Sequence, residues 1–431
     1  MSSTTTLQQA GRLLQITSPV PMTLRRLEVR EAIGAPFTMD AEVLSDSDLL
    51  VPSDMVGKPV TCTIEAPNQE PRHFHGIVRA FGRVGDYGRG LSAYRLQAVP
   101  RLWALSRTSD CRIFQNQSAR AIVQKLLTEG GVQPVSFGTL PSTPRPYCVQ
   151  WNESDLAFVD RVLGEVGAGY FFTHAAGNHT MVVTGANADF PAIPGEPLVV
   201  RAEHGGPEAL HDWHALHGQR PSRVVAHDYD GLRPRAANRL QGTASTVLGT
   251  AGGDWERFSW PGGQFGVPDA QPATIAIEAE EAHADEVACV GSSTAVFAGG
   301  KLRIQRSLGG AAENWLVSAA QHSAVDETHM AGGGGASYAN HLTLIPAERT
   351  WRNPAPPLRP TVPGLQSALV TGPSGEEIHC DEYGRIQVHF LWDREGPMNE
   401  TSTCYVRVAQ PWAGAWGGTW FLPRIGDDAP R

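Results

Sequence analysis

The sequence predicts a mainly β fold with a few short helices (α+β). Three observations predict it. Glycine (46) and proline (32) together make about 18% of the 431 residues, against roughly 12% in an average chain, which favours many turns. Apolar and polar residues alternate over short runs at many places, the period of a half-buried strand. Segments with helical spacing are few and short.

Residues 1–12 read as a flexible, polar N-terminus. Short alternating runs follow from Leu13 to Pro100. Val60, Cys62 and Ile64 alternate with Thr61, Thr63 and Glu65. His73–Val78 and Ala93–Val99 read as further strands, and Gly82, Gly85, Gly88 and Gly90 between them as a hairpin or flexible loop. Two helices interrupt the pattern. Ser118 is placed to cap Ala119–Glu129, with Ile122, Val123, Leu126 and Leu127 on one face and Gly130-Gly131 at the end. Asn152 or Ser154 caps a second helix running to Val166, followed by Gly167. Strands are expected again at Tyr170–Thr173, Thr180–Thr184, Arg223–Tyr229, Lys301–Gln305 and Trp315–Gln321. The Ala- and Glu-rich stretch Ile275–Val290 reads as helical, and Gly332–Gly335 as a hairpin tip. Five prolines between Arg352 and Pro363 predict a stiff, extended linker. A β-module begins near Ala368. No fixed-period repeat is present.

Composition narrows the function classes. Hydrophobic residues make up 41% and charged residues 18%, so the chain reads as folded, with roughly two to four domains. Its net charge of −9 disfavours a general nucleic-acid or anionic-membrane binder, because phosphate neutralisation drives such contacts. Cys62, Cys111, Cys148, Cys289, Cys380 and Cys404 form no Cys-x-x-Cys pair. They suggest neither zinc nor a disulfide framework. Met1–Gln9 lacks the basic and apolar regions of a signal peptide. No apolar run approaches the ~20 residues of a membrane span.

The C-terminal module carries the most specific residues. Gly372–His379 leads into Asp381-Glu382-Tyr383-Gly384-Arg385. Ile386, Val388, Phe390 and Trp392 then alternate with Gln387 and His389, and Asp393–Gly396 closes the run. Cys404, Val406 and Val408 read as another strand, before a Gly/Trp-rich turn and Phe421–Gly426. The pieces "GEEIH", "DEYGRIQVHF", "WDREG", "VRVAQPWAG" and "FLPRIGD" resemble VgrG, the spike-protein family of bacterial type VI secretion systems, itself similar to the hub and spike of contractile-phage tails. Upstream, Phe74-His75-Gly76-Ile77-Val78, Cys111–Asn116, residues 150–172 and residues 338–354 extend the resemblance to about Leu13–Asp427.

The resemblance implies a hub at 13–351 with two related β-barrel-like domains plus small α/β insertions, a linker at 352–367 and a partial OB-type β-barrel at 368–431. Family members usually continue into more OB strands and a β-helical needle. The sequence stops at Arg431, so an incomplete OB-type module without a needle is expected, its strand edges unpaired or covered by a neighbour. The implied role is structural rather than enzymatic: a homotrimer that caps the Hcp tube and delivers effectors on sheath contraction. The implied partners are baseplate proteins, a PAAR-repeat tip protein and effectors, with tip contact weakened by the missing needle. The implied location is the bacterial cytoplasm during assembly, then export by the type VI system without a signal peptide.

The alternative is a cell-wall hydrolase dependent on a metal or on carboxylates. His211, His214 and His217, with Asp212 and His204, fall at i+3 and i+6, not at the i and i+4 of a metalloprotease helix, and the intervening Glu is missing. A strand or loop is the better expectation. His73 and His75 share one strand face, but two ligands are too few for a metal. His379-Cys380-Asp381-Glu382 coincides with the turn of the resemblance and reads as structural. Glu376/Glu377 with Asp381/Glu382 could imitate a glycosidase pair, but no lysozyme-like domain follows. Trp412, Trp416 and Trp420 could stack on sugar or single-stranded nucleic acid; core and turn packing is expected instead. No nucleophile elbow, phosphate loop or dinucleotide fingerprint appears. No catalytic, cofactor-binding or metal residues are therefore assigned, and no cofactor is expected.

Overall fold

The structure is a computed structural model that describes residues 9–88, 90–202, 206–230, 241–248, 253–263, 271–328, 335–354, 358–414 and 416–430. Twelve strands form one continuous sheet. They are β1 (Leu14–Thr17), β2 (Thr23–Ala32), β3 (Ala35–Ser45), β4 (Pro59–Ile64), β5 (Arg72–Gly88), β6 (Leu91–Val99), β7 (Leu198–Val200), β8 (Ala209–His217), β9 (Asp285–Gly291), β10 (Lys301–Gln305), β11 (Ala312–Asp326) and β12 (Ala336–Pro346). Their order is β1-β4-β5-β6-β3-β2-β11-β10-β7-β8-β9-β12, and β12 also pairs with β11. That last pairing closes β11-β10-β7-β8-β9-β12 into a six-stranded barrel, which leaves no free edge around the ring.

Strand β11 joins the two halves. One edge carries β12 along most of its length. The other edge is divided: Ala312–Leu316 pairs with β10, and Ala319–Val325 pairs with β2. A bulge separates Val317 from Ala319 in the β12 ladder, where the strand passes from one half to the other. The first half curls back at β1. Arg12 pairs with Asp326 at 3.2 Å, and the Leu14 amide donates to the same carboxylate. Each half has its own apolar interior, around Leu24, Val43, Phe74 and Leu96 in the first and Leu210, Ile304, Val317 and Leu344 in the second.

A mixed unit at 109–184 packs beside the first half. Strand Ser109–Gln117 pairs with Arg145–Ser154, and a second small sheet holds 135–137, 169–175 and 178–184. Helix α1 (Ala119–Glu129) starts where expected, because the Ser118 hydroxyl accepts the Ala121 amide at 3.2 Å. Helix α2 (Asp155–Gly164) is capped by Ser154 through the Ala157 amide at 3.1 Å. It stops at Gly164 rather than Val166. The Ala168 amide bonds back to the Leu163 carbonyl, and Gly167 takes φ +69°. The apolar faces of both helices meet in one core with Phe37, Leu105 and Tyr170. Each large side chain buried there contributes ~1.5–3 kcal/mol.

Asp160 of α2 is half-buried, next to the buried Arg161. Burial beside Tyr170 pushes its carboxyl up to about 7. The unfolded carboxyl ionises near 3.8, so this group favours the folded state less as pH rises through that window. Asp160→Asn should therefore gain stability relative to wild type at pH 8 compared with pH 5. Urea midpoints at the two pH values check it, and an identical difference at both would refute it.

Several expectations change in three dimensions. The stretch Ile275–Val290 is not one helix: α3 (Pro272–Ala282) ends at His283, and Asp285–Gly291 is strand β9. Val287, Cys289 and Gly291 alternate inward there, and pairing on both edges with β8 and β12 overrides the local Ala/Glu preference. For the glycines at 82–88 the hairpin alternative holds and the loop does not; the β5–β6 ladder runs through them to Gly88↔Leu91 with bulges. Gly332–Gly334 lies outside the described residues, though the strands on either side of the run pair as a hairpin requires. The described part of the proline-rich stretch, 352–354 and 358–363, forms no helix or strand, and it is strapped down at its start. The ring of Trp351 fills the space over Gly169, where a Cβ would sit 2.4 Å from it. Arg352 donates to the Gly167 and Gly185 carbonyls and pairs with Glu278 at 2.8 Å.

In the C-terminal module Ser367–Thr371 is the central strand, flanked antiparallel by Gln387–Phe390 and Asp428–Pro430. Ala368, Val370, Ile386 and Val388 form its core. Cys404–Val408 is not the strand expected; it makes only an isolated bridge, Ile386↔Val406. The module docks on the 109–184 unit. Arg394 pairs with Asp110 at 2.7 Å, Lys125 with Glu395 at 3.6 Å, and Trp151 meets Trp392 edge-to-face at 5.0 Å.

Candidate functional site

The residues expected to be the strongest metal candidates do not converge. His204 lies outside the described residues. His211, Asp212, His214 and His217 lie on β8, as a strand rather than a helix. A bulge between His211 and His214, with Asp212 at φ +51°, interrupts their alternation. His217 pairs with Asp285 at 2.6 Å, while His214 borders a groove with Arg30, Gln321 and His341. Among the described residues no group of three or more His, Cys, Asp or Glu side chains is arranged to hold a metal ion. In the C-terminal turn Asp381 Oδ1 accepts the Tyr383 and Arg385 amides, and its other oxygen takes the Arg385 Nε–H at 2.6 Å. This carboxylate holds a turn closed. His379 shares a 3.1 Å hydrogen bond with the Tyr405 hydroxyl. Glu377 pairs with Arg424.

Trp412, Trp416 and Trp420 correct the expectation of core packing. All three are exposed, as is Phe421. Their turn does form, through the short ladder Ala413-Gly414 with Gly417-Gly418. Trp420 lies over Gly384, where a Cβ would sit 2.5 Å from the indole. Described strands of the module supply too little surface to enclose four large rings. The result is four exposed aromatic side chains in the C-terminal module.

The densest polar site was not legible in the sequence. It sits where the 169–184 hairpin meets β2, β5 and β11. His73 hydrogen-bonds Thr63 at 3.0 Å, as ordinary strand polarity suggests. His75 does not follow that expectation. It is buried, and its Nδ1 lies 2.8 Å from Nδ1 of His179. The backbone fixes the protons. The Arg101 amide donates to His179 Nε2 at 3.2 Å, so the His179 proton sits on Nδ1 and is donated to His75. The His75 amide donates to His174 Nδ1 at 3.1 Å, which leaves the His174 proton on Nε2, 3.9 Å from Glu31. Glu31 then accepts from Arg72 at 3.1 Å and shares a 3.0 Å hydrogen bond with His322, whose other nitrogen meets the Tyr338 hydroxyl at 2.9 Å.

Every basic nitrogen of His75, His174 and His179 thus already faces a donor hydrogen. Burial first, and the Arg101 charge second, hold His75 down at about 4. Burial likewise lowers His174 and His179 to about 3. Burial alone would push the Glu31 carboxyl up. Arg72, His322 and His174 outweigh it and hold it at about 2. Two nitrogens on one tetrahedral zinc lie about 3.3 Å apart, given Zn–N bonds of ~2.0–2.1 Å. The 2.8 Å separation is a hydrogen bond instead. The arrangement is a latch of neutral imidazoles between the mixed unit and the β sheet. The FHG segment was the only local signal, and its partners lie about a hundred residues away or further.

All six cysteines are free of disulfides, and burial pushes Cys62 and Cys289 up to about 12, far from the thiolate form.

This architecture is shared with known proteins. The model of the phage tail baseplate hub (GPD) family matches residues 30–328. The type VI secretion system spike protein VgrG1b of Pseudomonas aeruginosa is 34% identical over 440 residues, covering 98% of this chain and 58% of that protein. VgrG1a of the same organism is 33% identical, covering 97% and 67%. The actin cross-linking toxin VgrG1 of Vibrio cholerae is 34% identical over 404 residues, which are 36% of its length. The chain thus spans between about a third and two-thirds of the length of these relatives. Among solved structures, an E. coli type VI secretion component described as similar to T4 tail proteins superposes with a TM-score of 0.63 at 20% identity, covering 97% of this chain and 95% of that one. A half-lidded Francisella PdpA–VgrG complex gives 0.61 at 10% identity, covering 97% and 75%. Those two likenesses speak to the fold, and the sequence matches speak to descent. The chain belongs to the phage tail baseplate hub family and, within it, to the VgrG proteins.

Proposed function

We propose that this chain is a structural hub and spike-base component of a type VI secretion system. Residues 13–351 act as the hub, 352–367 link it and 368–431 form an OB-type base. The observation that carries the reading is the pair of barrel-like β units laid side by side on the single long strand β11. Three copies would present six such units, the match that a trimer needs to cap a sixfold Hcp tube. Baseplate proteins would surround it, and a tip protein and effectors would be carried beyond it. The exposed Trp412, Trp416, Trp420 and Phe421 favour burial against neighbouring subunits or the rest of the spike. Assembly would take place in the bacterial cytoplasm, and export would follow sheath contraction.

The role is mechanical rather than enzymatic in this reading, and no observation favours the hydrolase alternative. Light scattering at micromolar concentration should give three times the 46.4 kDa chain mass. Permanent interfaces of this kind bury ~2,000–5,000 Å². A monomer under those conditions would sink the trimer. In cells, deletion of the gene should stop Hcp release into the medium, and unimpaired release would sink the hub role.

A further inference from the structure

Strand β5 carries an extra residue at Arg79. Val78 stands opposite Ala98 and Ala80 opposite Gln97, so Arg79 has no partner across the ladder. A bulge of this kind re-aims a side chain. Here it sets the guanidinium over the ring of Trp103, 5.8 Å from its centre. Trp103 belongs to the 3₁₀ turn Arg101–Ser106, which buries Leu102 and Leu105. With three residues per turn, positions 101, 104 and 107 share another side. Arg107, at the end of the turn, also lies over Trp103, at 4.4 Å. The Arg101 side chain donates to the Gln133 carbonyl at 3.2 Å. The result is a short strip that carries three arginines and one half-buried indole, with Arg79 and Arg107 exposed.

The strip keeps its charge. Among the described residues none of the three guanidiniums forms an ion pair, because the carboxylates around them are held elsewhere. Asp40, which shares Gln97 with Arg79, pairs with Arg95. Asp155, on the helix packed against the turn, and Glu129 share Arg112, and Lys125 stands beside Glu129. Asp160 of the same helix bonds to Tyr170, and Asp110 pairs with Arg394. The segment hydrogen-bonded to Val78 brings Asp54 and Lys58, one charge of each sign. The strip is therefore locally cationic on a chain of net charge −9. It is also held in shape. The indole face steadies Arg79 and Arg107 by cation–π attraction. A guanidinium has five N–H donors, and Arg79 and Arg101 spend one each on Gln97 and Gln133.

We propose that this strip docks an acidic segment of a partner protein, an extended stretch with Asp or Glu at alternate positions. Arg101 and Arg107 stand roughly 12 Å apart along the turn, at about 2 Å per residue. In an extended chain, carboxylates at i, i+2 and i+4 span a similar distance, roughly 13 Å, and share one side. Each takes charge-assisted hydrogen bonds from a guanidinium, two where the fork is free. A nucleic acid fits less well. Its phosphate run would extend past three cations over a chain that is acidic as a whole. This inference does not depend on the spike reading.

The test is calorimetric titration of the full chain at pH 7 and low salt. The probes are the peptides Gly-Glu-Thr-Glu-Thr-Glu-Gly and Gly-Gln-Thr-Gln-Thr-Gln-Gly, both acetylated and amidated, and a short oligothymidylate. The acidic peptide should bind, and its glutamine counterpart should bind more weakly by about tenfold or more. Arg79→Gln and Arg107→Gln, at exposed positions that the fold tolerates, should each weaken binding of the acidic peptide by about fivefold to tenfold. Arg303→Gln removes the same charge from an exposed position on β10. It should leave binding unchanged, which separates docking at the strip from general attraction. No heat from the acidic peptide, equal binding of the two peptides, tighter binding of the oligothymidylate, or equal losses from Arg303→Gln and Arg107→Gln would overturn the proposal.

Discussion

Glu31→Ala should lower the unfolding free energy by about 3–5 kcal/mol, because it strands a buried cation. The Glu31 side chain is 3% exposed and its main partner, Arg72, is 11% exposed. Arg72 lies over the Phe74 ring at 4.7 Å, a surface that cannot replace the lost anion. His322 loses its acceptor in the same substitution. Urea unfolding at pH 7 measures the change, and the double variant with Arg72→Ala separates its causes. Removing both partners should cost clearly less than the sum of the two single losses, because the stranded charge disappears. A single-variant loss below about 1 kcal/mol would mean that water reaches Arg72 and that the network is not sealed.

Acid should destabilise the chain in a window set by the histidine latch. Unfolded imidazoles take a proton near 6.5. Folded, His75 resists protonation until about 4, and His174 and His179 until about 3. Between those limits the unfolded state binds more protons, so stability is lost as pH falls through the window and is unaffected by these groups above it. His174 is fully buried, and its share alone is roughly 3–5 kcal/mol. The groups facing the latch act elsewhere on the pH scale. Burial pushes Tyr338 up to about 12. Glu31 contributes fully above its unfolded value of 4.5 and loses that contribution only as pH falls through about 2. Asp160 works in the opposite sense between 3.8 and about 7, so the measurement is cleanest in an Asp160→Asn background. Urea midpoints at pH 7 and pH 4.5 give the slope. His174→Asn keeps an acceptor for the His75 amide but cannot take the proton, and it should flatten that slope. An unchanged slope in this variant would remove His174 from the account.

The elements that could be read from the sequence are those governed by neighbours along the chain. Ser118 and Ser154 cap the helices they were expected to cap, since a cap needs only a hydroxyl and an amide three residues on. Lys301–Gln305 is a strand with the bounds that its alternation predicts. Where a segment's preference was weak, its surroundings decided. Asp285–Gly291 is a strand because β8 and β12 offer ladders on both sides. The acidic balance and the resemblance favour core and turn packing for the tryptophans at 412, 416 and 420; the turn forms, but the rings are exposed. Hydrophobicity states a preference for burial and does not say which surface supplies it.

The sequence by itself determined the β-rich class, the two capped helices and, through the C-terminal motifs, the family. Those signals are periods, caps and turns spanning a few residues each. Only the tertiary structure decided that β11 and β12 close a barrel, that His75 meets His179 104 positions away, and that Glu31 meets His322 291 positions away. The same holds for the bulge that brings Arg79 over Trp103. The reason is physical. A buried imidazole or guanidinium is tolerated only when its partners arrive in the right geometry, and that geometry is set by strand pairings across the whole chain, which no local pattern records.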